Sequence, residues 1–369
     1  MANPLCKHFG RCGGCSLQHM EYEKQLDEKK SALAATLGIN TIKTFYAEPY
    51  YYRNRMDFVF HKDGLGLREK GKWYSIVDIK ECVIANKALN KLAREVREFF
   101  SQPDYFNLRT HEGTFRYAVI RTPSADSAVS IVLNKNSAKL DKALDLIKNY
   151  AKYSSAGNII ATFVKANTDM SISDEYKVIK GSDMLKEVYA GKRFMFPVQG
   201  FFQNNKEVAE MMYLYSKELL SKYNTKNSQL VDLYGGVGCF GIFNADIFKN
   251  VVIAENNKKS IEAANINIRI NNCSNTKALL IDAKEINKIN LNKELFIITD
   301  PPRAGMHPKV IKELVELNPK VIIYVSCNIK QLKKDLPSLK GYYIKSAALF
   351  DMFPQTPHSE AVIELVKND

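Results

Sequence analysis

A thiol at the end of an apolar run is the first candidate for chemistry in this chain. Val321-Ile-Ile-Tyr-Val-Ser-Cys-Asn328 carries β-favouring residues into Ser326, Cys327 and Asn328, and a Lys-rich helical pattern follows. This reads as a buried parallel strand that delivers Cys327 to the carboxyl edge of a sheet, where open α/β sheets place their ligands. Taken alone, Cys327 would be a small core residue, because free cysteine is among the most buried side chains. Its company argues for a nucleophile: a Gly-rich loop, Asp300-Pro-Pro-Arg303, and a lone His358-Ser-Glu360 near the end.

The Gly-rich loop belongs to Gln229-Leu-Val-Asp-Leu-Tyr-Gly-Gly-Val-Gly-Cys-Phe-Gly241, an apolar strand that turns into a helix. Val251-Val-Ile-Ala-Glu255 supplies a second strand that ends in an acid, at the offset where a ribose diol is bound. The loop lacks the Lys-Ser/Thr of a phosphate cradle. It suits S-adenosylmethionine, but Gly236-Val-Gly-Cys-Phe-Gly241 also satisfies the dinucleotide fingerprint, so the loop alone leaves both open. Asp232 leans toward the methyl donor, since an acid just before the glycines repels a pyrophosphate and attracts a cationic amino-acid moiety.

Asp300-Pro-Pro-Arg303 narrows the reaction. Methylation of exocyclic amines calls for an aromatic after the two prolines, to stack on the base, and here an arginine follows. Uracil C5 is an unactivated vinylic carbon that cannot attack a methyl donor directly. A thiolate adding at C6 converts it to an enolate nucleophilic at C5. A base must then remove the C5 proton so that the thiol can leave. Such a route needs one cysteine and one base, and the chain offers Cys327 and Glu360. The bland alternatives are a surface carboxylate for Glu360 and a structural imidazole for His358.

A second set of thiols lies at the other end. Cys6, Cys12 and Cys15 are interleaved with Gly10, Gly13 and Gly14, and Cys82 is the best fourth ligand among the remaining cysteines. Thiolates on Gly-rich loops suit an iron–sulfur cluster or zinc. Three clustered thiols with one distant thiol favour a [4Fe–4S] cluster, with structural zinc as the alternative, since zinc ribbons pair their ligands. The spacing departs from that of radical enzymes, so the cluster is expected to be structural.

The elements that must position these residues follow from periodicity. Residues 21–37 carry helical spacing and stop at Gly38. From about 40 to 190 short strands such as Met56-Asp-Phe-Val-Phe60 and Val129-Ser-Ile-Val-Leu133 alternate with helices near Asn86–Phe100 and Lys139–Tyr150, an α+β pattern. Tyr50-Tyr-Tyr-Arg-Asn-Arg55 reads equally as a base-stacking stretch or a solvated edge strand. A helix over Lys206–Lys222 leads into alternating βα units from 229 onward, which make a parallel sheet. The expected division is 1–38 for the cysteine segment and helix, 39–193 for a central α+β RNA-binding domain, and 194–369 for catalysis. A net charge of +13 points to a polyanionic partner. No apolar run reaches membrane-spanning length and no secretory h-region opens the chain, so a cytoplasmic protein without a membrane partner is expected.

Together these motifs resemble the RNA uracil-C5 methyltransferases that make 5-methyluridine. The resemblance spans nearly the whole chain: the four cysteines, Phe201-Phe-Gln-Asn-Asn205, Asp232-Leu-Tyr-Gly-Gly-Val-Gly238, Asp300-Pro-Pro-Arg-Ala-Gly305, Ser326-Cys-Asn328 and Phe350 through Glu360. It implies a Rossmann-like methyltransferase domain, Cys327 as nucleophile and Glu360 as base. It also implies contacts to S-adenosylmethionine from Gln203, Tyr234, Glu255 and Asp300. Gly235 stands where the family usually has cysteine, which a backbone-reading loop should tolerate. No TRAM-type barrel precedes Cys6, and with the cysteine cluster retained this resembles the short 23S rRNA enzymes. The expectation is therefore a 23S rRNA enzyme, with tRNA as the alternative substrate, acting as a monomer on a flipped-out uridine. A non-catalytic cluster-bearing RNA-binding protein, or a cytosine-C5 enzyme lacking its usual Pro-Cys, are further alternatives.

Overall fold

The computed structural model describes residues 2–368 and divides the chain into two compact units. One runs from the N-terminus to Tyr22 and takes in Glu48–Glu187 and Pro197–Lys206. The other comprises Glu23–Ala47, Val188–Phe196 and the chain from Glu207 onward. These limits differ from the expected 1–38, 39–193 and 194–369 because packing crosses the sequence boundaries. Leu33, in the helix Tyr22–Leu37, is fully buried in the core of the second unit. Lys43–Phe45 adds a strand to that unit's sheet, and Phe45 stacks on Phe350 with ring centroids 4.5 Å apart.

In the first unit seven strands run in the order Lys72–Asp78, Gly64–Glu69, Arg55–His61, Phe115–Arg121, Ala128–Asn134, Asn158–Val164, Tyr176–Lys180. Neighbours are antiparallel except Ala128–Asn134 and Asn158–Val164, which pair in parallel across the helix Leu140–Tyr153. The period of two is plain in Arg55–His61: Met56, Phe58 and Phe60 enter the main core while Val59 joins a small cluster with Tyr117 and Val119 on the other face. Helix Lys87–Phe99 covers the main face, and Asn86 caps it by accepting from the Leu89 N–H at 2.8 Å. Arg55 therefore opens an interior strand, not the solvated edge considered for Tyr50–Arg55.

The second unit has an eight-stranded sheet. Its order is Lys43–Phe45, Tyr342–Phe350, Glu360–Lys367, Val321–Ser326, Leu295–Thr299, Gln229–Leu233, Asn250–Glu255, Thr276–Leu280. The last five are mutually parallel, and Glu360–Lys367 inserts antiparallel between Val321–Ser326 and Tyr342–Phe350. A dinucleotide fold continues with parallel strands at this point; the reversed strand inserted here starts at Glu360, beside the end of Val321–Ser326. The parallel strands read as unbroken apolar runs because both faces are covered, and Val321–Ser326 is buried at every position. Among the described residues no helix is long and apolar enough to cross a membrane.

Candidate active site

The strand Gln229–Leu233 ends in Tyr234, at φ 57°, and the chain turns through Gly236 and Gly238 into the short helix Cys239–Asn244. Glu255, at the end of the neighbouring strand, accepts from the N–H of Gly236 at 3.1 Å and of Asn257 at 2.7 Å. Its carboxylate thus sits in the mouth of the loop. The glycines also serve a side chain. A Cβ at Gly235, Gly238 or Gly241 would lie 2.6–2.7 Å from Ile253. The Gly235 departure from the family pattern is therefore matched by the isoleucine that fills the vacated space.

Asp232 lies beneath this loop, fully buried. One carboxylate oxygen accepts from the Gly241 N–H at 2.8 Å, and Oδ1 has no hydrogen-bond partner. Burial, reinforced by Asp300 and Glu255, pushes its pKa up to about 8. A buried acid with an orphaned oxygen, next to two more acids, fits a cationic ligand and opposes a pyrophosphate. The sulfonium and ammonium of S-adenosylmethionine meet that requirement.

Strand register assembles the rest. Val325 pairs with Val362 and Ser326 with Ala361, so the antiparallel ladder brings Cys327, one residue on, level with Glu360. Asp300 leaves the adjacent parallel strand at the same edge, after Thr299 pairs with Tyr324. Burial, followed by the charges of Glu360 and Asp300, pushes the Cys327 thiol up to about 11, while Arg303 opposes the rise. Glu360 is held well above the usual carboxylate range by burial and then by Asp300. Asp300 is raised by burial as well. Burial thus disfavours the charged form of all three groups.

This edge is built by motif residues together with three that carried no signal in the sequence, Asp335, Lys29 and Gln25. Asp335, buried in a Lys-rich helix, accepts from the Tyr324 hydroxyl at 2.6 Å, the Met306 N–H at 3.0 Å and the Gln331 amide at 2.8 Å. It thereby pins the loop after Asp300. Asn328 caps the helix Ile329–Asp335 and donates to the Arg303 carbonyl at 2.9 Å, which ties the cysteine turn to the same loop. Arg303 contacts His358 Nδ1 at 3.3 Å. The segment leading to Glu360 is strapped to the helix Tyr22–Leu37 by a buried Lys29–Asp351 ion pair of 2.5 Å and by Gln25–Gln355 at 3.0 Å. Both look in the sequence like members of a solvated helix face.

Tyr234 lines an open cavity of about 840 Å³ with Asn256, Asp282, Pro302 and Met306. The second unit thus brings together Tyr234, Glu255, Asp300, Cys327 and Glu360. Gln203 belongs to the first unit, where it is buried and its carbonyl accepts from Asn54 Nδ2 at 3.3 Å. The four expected metal ligands lie in the first unit too. Cys6, Cys12, Cys15 and Cys82 all line one small apolar cavity, together with His8, whose buried Nε2 has no hydrogen-bond partner. Burial raises the thiol of Cys15 to about 12 and those of Cys12 and Cys82 above their ordinary value. Among the described residues no group of three or more His, Cys, Asp or Glu side chains is arranged to hold a single metal ion.

Comparison with known proteins converges on the same chemistry. The tRNA (uracil-5-)-methyltransferase family matches residues 21–368. The chain is 34% identical over 363 residues to the tRNA (uracil(54)-C(5))-methyltransferase of Pyrococcus horikoshii, covering 98% of this chain and 85% of that one. It is 33% identical over 365 residues to the Pyrococcus abyssi enzyme of the same name, covering 98% and 86%. The crystal structure of the P. abyssi tRNA (uracil-54, C5)-methyltransferase with S-adenosyl-L-homocysteine superposes with a TM-score of 0.81 at 30% identity, covering 96% of this chain and 86% of that one. These relatives overturn the expectation of a 23S rRNA substrate. The site motifs are shared by uracil-C5 enzymes on either RNA, so they left the choice of substrate open. The protein is an RNA uracil-C5 methyltransferase that uses S-adenosylmethionine, and it belongs to the tRNA (uracil-5-)-methyltransferase family.

Proposed function

We propose that this protein methylates C5 of a tRNA uridine, corresponding to position 54 in the Pyrococcus enzymes it resembles. The observation that carries the mechanism is the register that sets Cys327 level with Glu360, beside Asp300. The Cys327 thiolate adds to C6 of the extruded uracil, and the electron pair moves to an enolate nucleophilic at C5. S-adenosylmethionine supplies the electrophilic methyl group, and its cation offsets the acids of the site. Glu360 takes the C5 proton, and elimination breaks the C6–sulfur bond, returning its electron pair to sulfur and releasing the Cys327 thiolate. The burial that raises the Glu360 pKa makes its carboxylate a stronger base for that step. Tyr234, Glu255 and Asp300 are assigned to the methyl donor, with Gln203 carried as a further contact by the family resemblance.

For Cys6, Cys12, Cys15 and Cys82 the reading is a thiolate-bound [4Fe–4S] cluster. It is supported by the one cavity they share and by the orphaned His8 nitrogen beside it. The four thiolates would hold the iron atoms, and Gln18 fixes the Cys6 turn by accepting from its N–H at 3.0 Å.

The test is transfer of labelled methyl to separated tRNA and rRNA pools, followed by mapping of the labelled nucleotide. Label at uridine 54 of tRNA is expected; label confined to rRNA would refute the substrate assignment.

A further inference from the structure

We infer that Trp73 and Tyr74, on the first unit, form a stacking platform for an unpaired base of the RNA. Trp73 is the only tryptophan of the chain and is 59% exposed, and Tyr74 beside it is 48% exposed. Their rings meet edge to face at 5.8 Å, and the Arg109 guanidinium lies 4.5 Å from the Tyr74 centroid. Neither ring belongs to a buried core. Both stand on Lys72–Asp78, the outermost strand of the seven-stranded sheet, whose first three residues are exposed. Edge strands are ordinarily guarded by charges, so two large exposed rings at such a place, one of them stacked on a guanidinium, call for a ligand.

The surroundings identify its chemistry. A groove of about 760 Å³ on the same unit is lined by Arg53, Arg55, Arg68 and Lys70, with Asp57, Glu69 and Asp169 among them. Arg68 links groove and platform: it donates to the Trp73 carbonyl, and its other nitrogen bonds Asp169 and the Tyr117 hydroxyl, each at 2.8 Å. Arg55 is likewise held by Asp57 at 3.0 Å, while Lys70 and Arg109 are exposed. Aromatic faces interleaved with exposed cations suit a single strand, since every base has a π-face and every link a phosphate. The net charge of +13 favours the same partner. This inference rests on RNA being the substrate and adds a contact separate from the methylated uridine.

Because Trp73 is unique, tRNA titration of the full chain reads the platform directly. The account expects saturable quenching of its fluorescence, weakened by salt. Trp73→Ala should raise KM for tRNA about tenfold, with kcat and S-adenosylmethionine affinity unchanged, and Trp73→Phe should recover most of that loss. Unchanged fluorescence at tRNA concentrations that saturate methylation would overturn the platform. So would a Trp73→Ala variant that breaks a dimer while leaving the KM for tRNA as it was, since the edge would then pair copies of the chain. Should a different RNA prove to be the methylated one, the tRNA assignment falls, and the same titration with that RNA decides the platform.

Discussion

The two cysteine regions differ in what surrounds the sulfur. In the first unit the thiols of Cys12, Cys15 and Cys82 are pushed up chiefly by burial, and a nitrogen of His8 beside them is left unpaired. In the second unit Cys327 is raised by burial too, but its neighbours are Glu360, Asp300 and Arg303, groups that move protons or charge. Burial alone thus does not distinguish a ligand from a nucleophile. Several thiols on one dry cavity make a place to hold something, whereas one thiol among titrating acids makes a place to break and form bonds.

The sharpest way to break this comparison is Glu360→Gln. Turnover should fall about 10²–10⁴-fold, while a denaturation-resistant adduct between Cys327 and RNA accumulates, because the methylated intermediate cannot lose its C5 proton. A loss of turnover without any adduct, read on a denaturing gel, would place Glu360 earlier in the reaction. Cys82→Ser should act on the other region: iron content and visible absorbance disappear and the melting temperature drops, yet Cys327 still reacts with an alkylating reagent at the original rate. Undiminished iron would remove Cys82 from the ligand set.

Asp232→Asn sharpens the electrostatic side. The folded-state pKa of about 8 lies above the ordinary carboxylate value, so the native state binds the extra proton and stability falls as pH rises from about 4 to about 8. The amide cannot ionise. The variant should match the parent near pH 4 and melt higher at pH 8 without S-adenosylmethionine, while binding the donor more weakly. A parent that gains stability over that window relative to the variant would contradict the assignment. The smallest effect is expected at the loop: Gly235→Ala should cost about 1–3 kcal/mol of stability through its clash with Ile253. Adding Ile253→Ala should recover part of it, in a thermal melt of the double variant.

The chemistry-bearing residues were readable because their types and local settings are informative. A strand ending in Ser-Cys-Asn, an acid before two prolines and a strand-ending Glu255 each sit where periodicity puts them. What the residues could not reveal was pairing over distance. The antiparallel insertion of Glu360–Lys367 sets Glu360 level with Cys327, and nothing in either strand alone announces it. Lys29 and Asp335 escaped for the same reason: their partners lie 322 and 29 residues away, and a buried Lys29–Asp351 pair looks in sequence like two surface charges. The helix Tyr22–Leu37 was readable as a helix, but its place in the second unit follows from Leu33 packing into that core. RNA choice was misread because the site motifs do not distinguish one RNA from another, and the named relatives act on tRNA.

The central claim is a transient bond between Cys327 and the pyrimidine, and 5-fluorouridine tests it most directly. Fluorine cannot be removed as a proton is, so tRNA carrying it should stay attached after methyl transfer. Mass spectrometry of the digested complex should find a methylated fluorouridine bonded to the peptide containing Cys327, and no adduct with Cys327→Ala. Efficient methylation of normal tRNA with no trapped complex, or trapping at any other residue, would contradict the account.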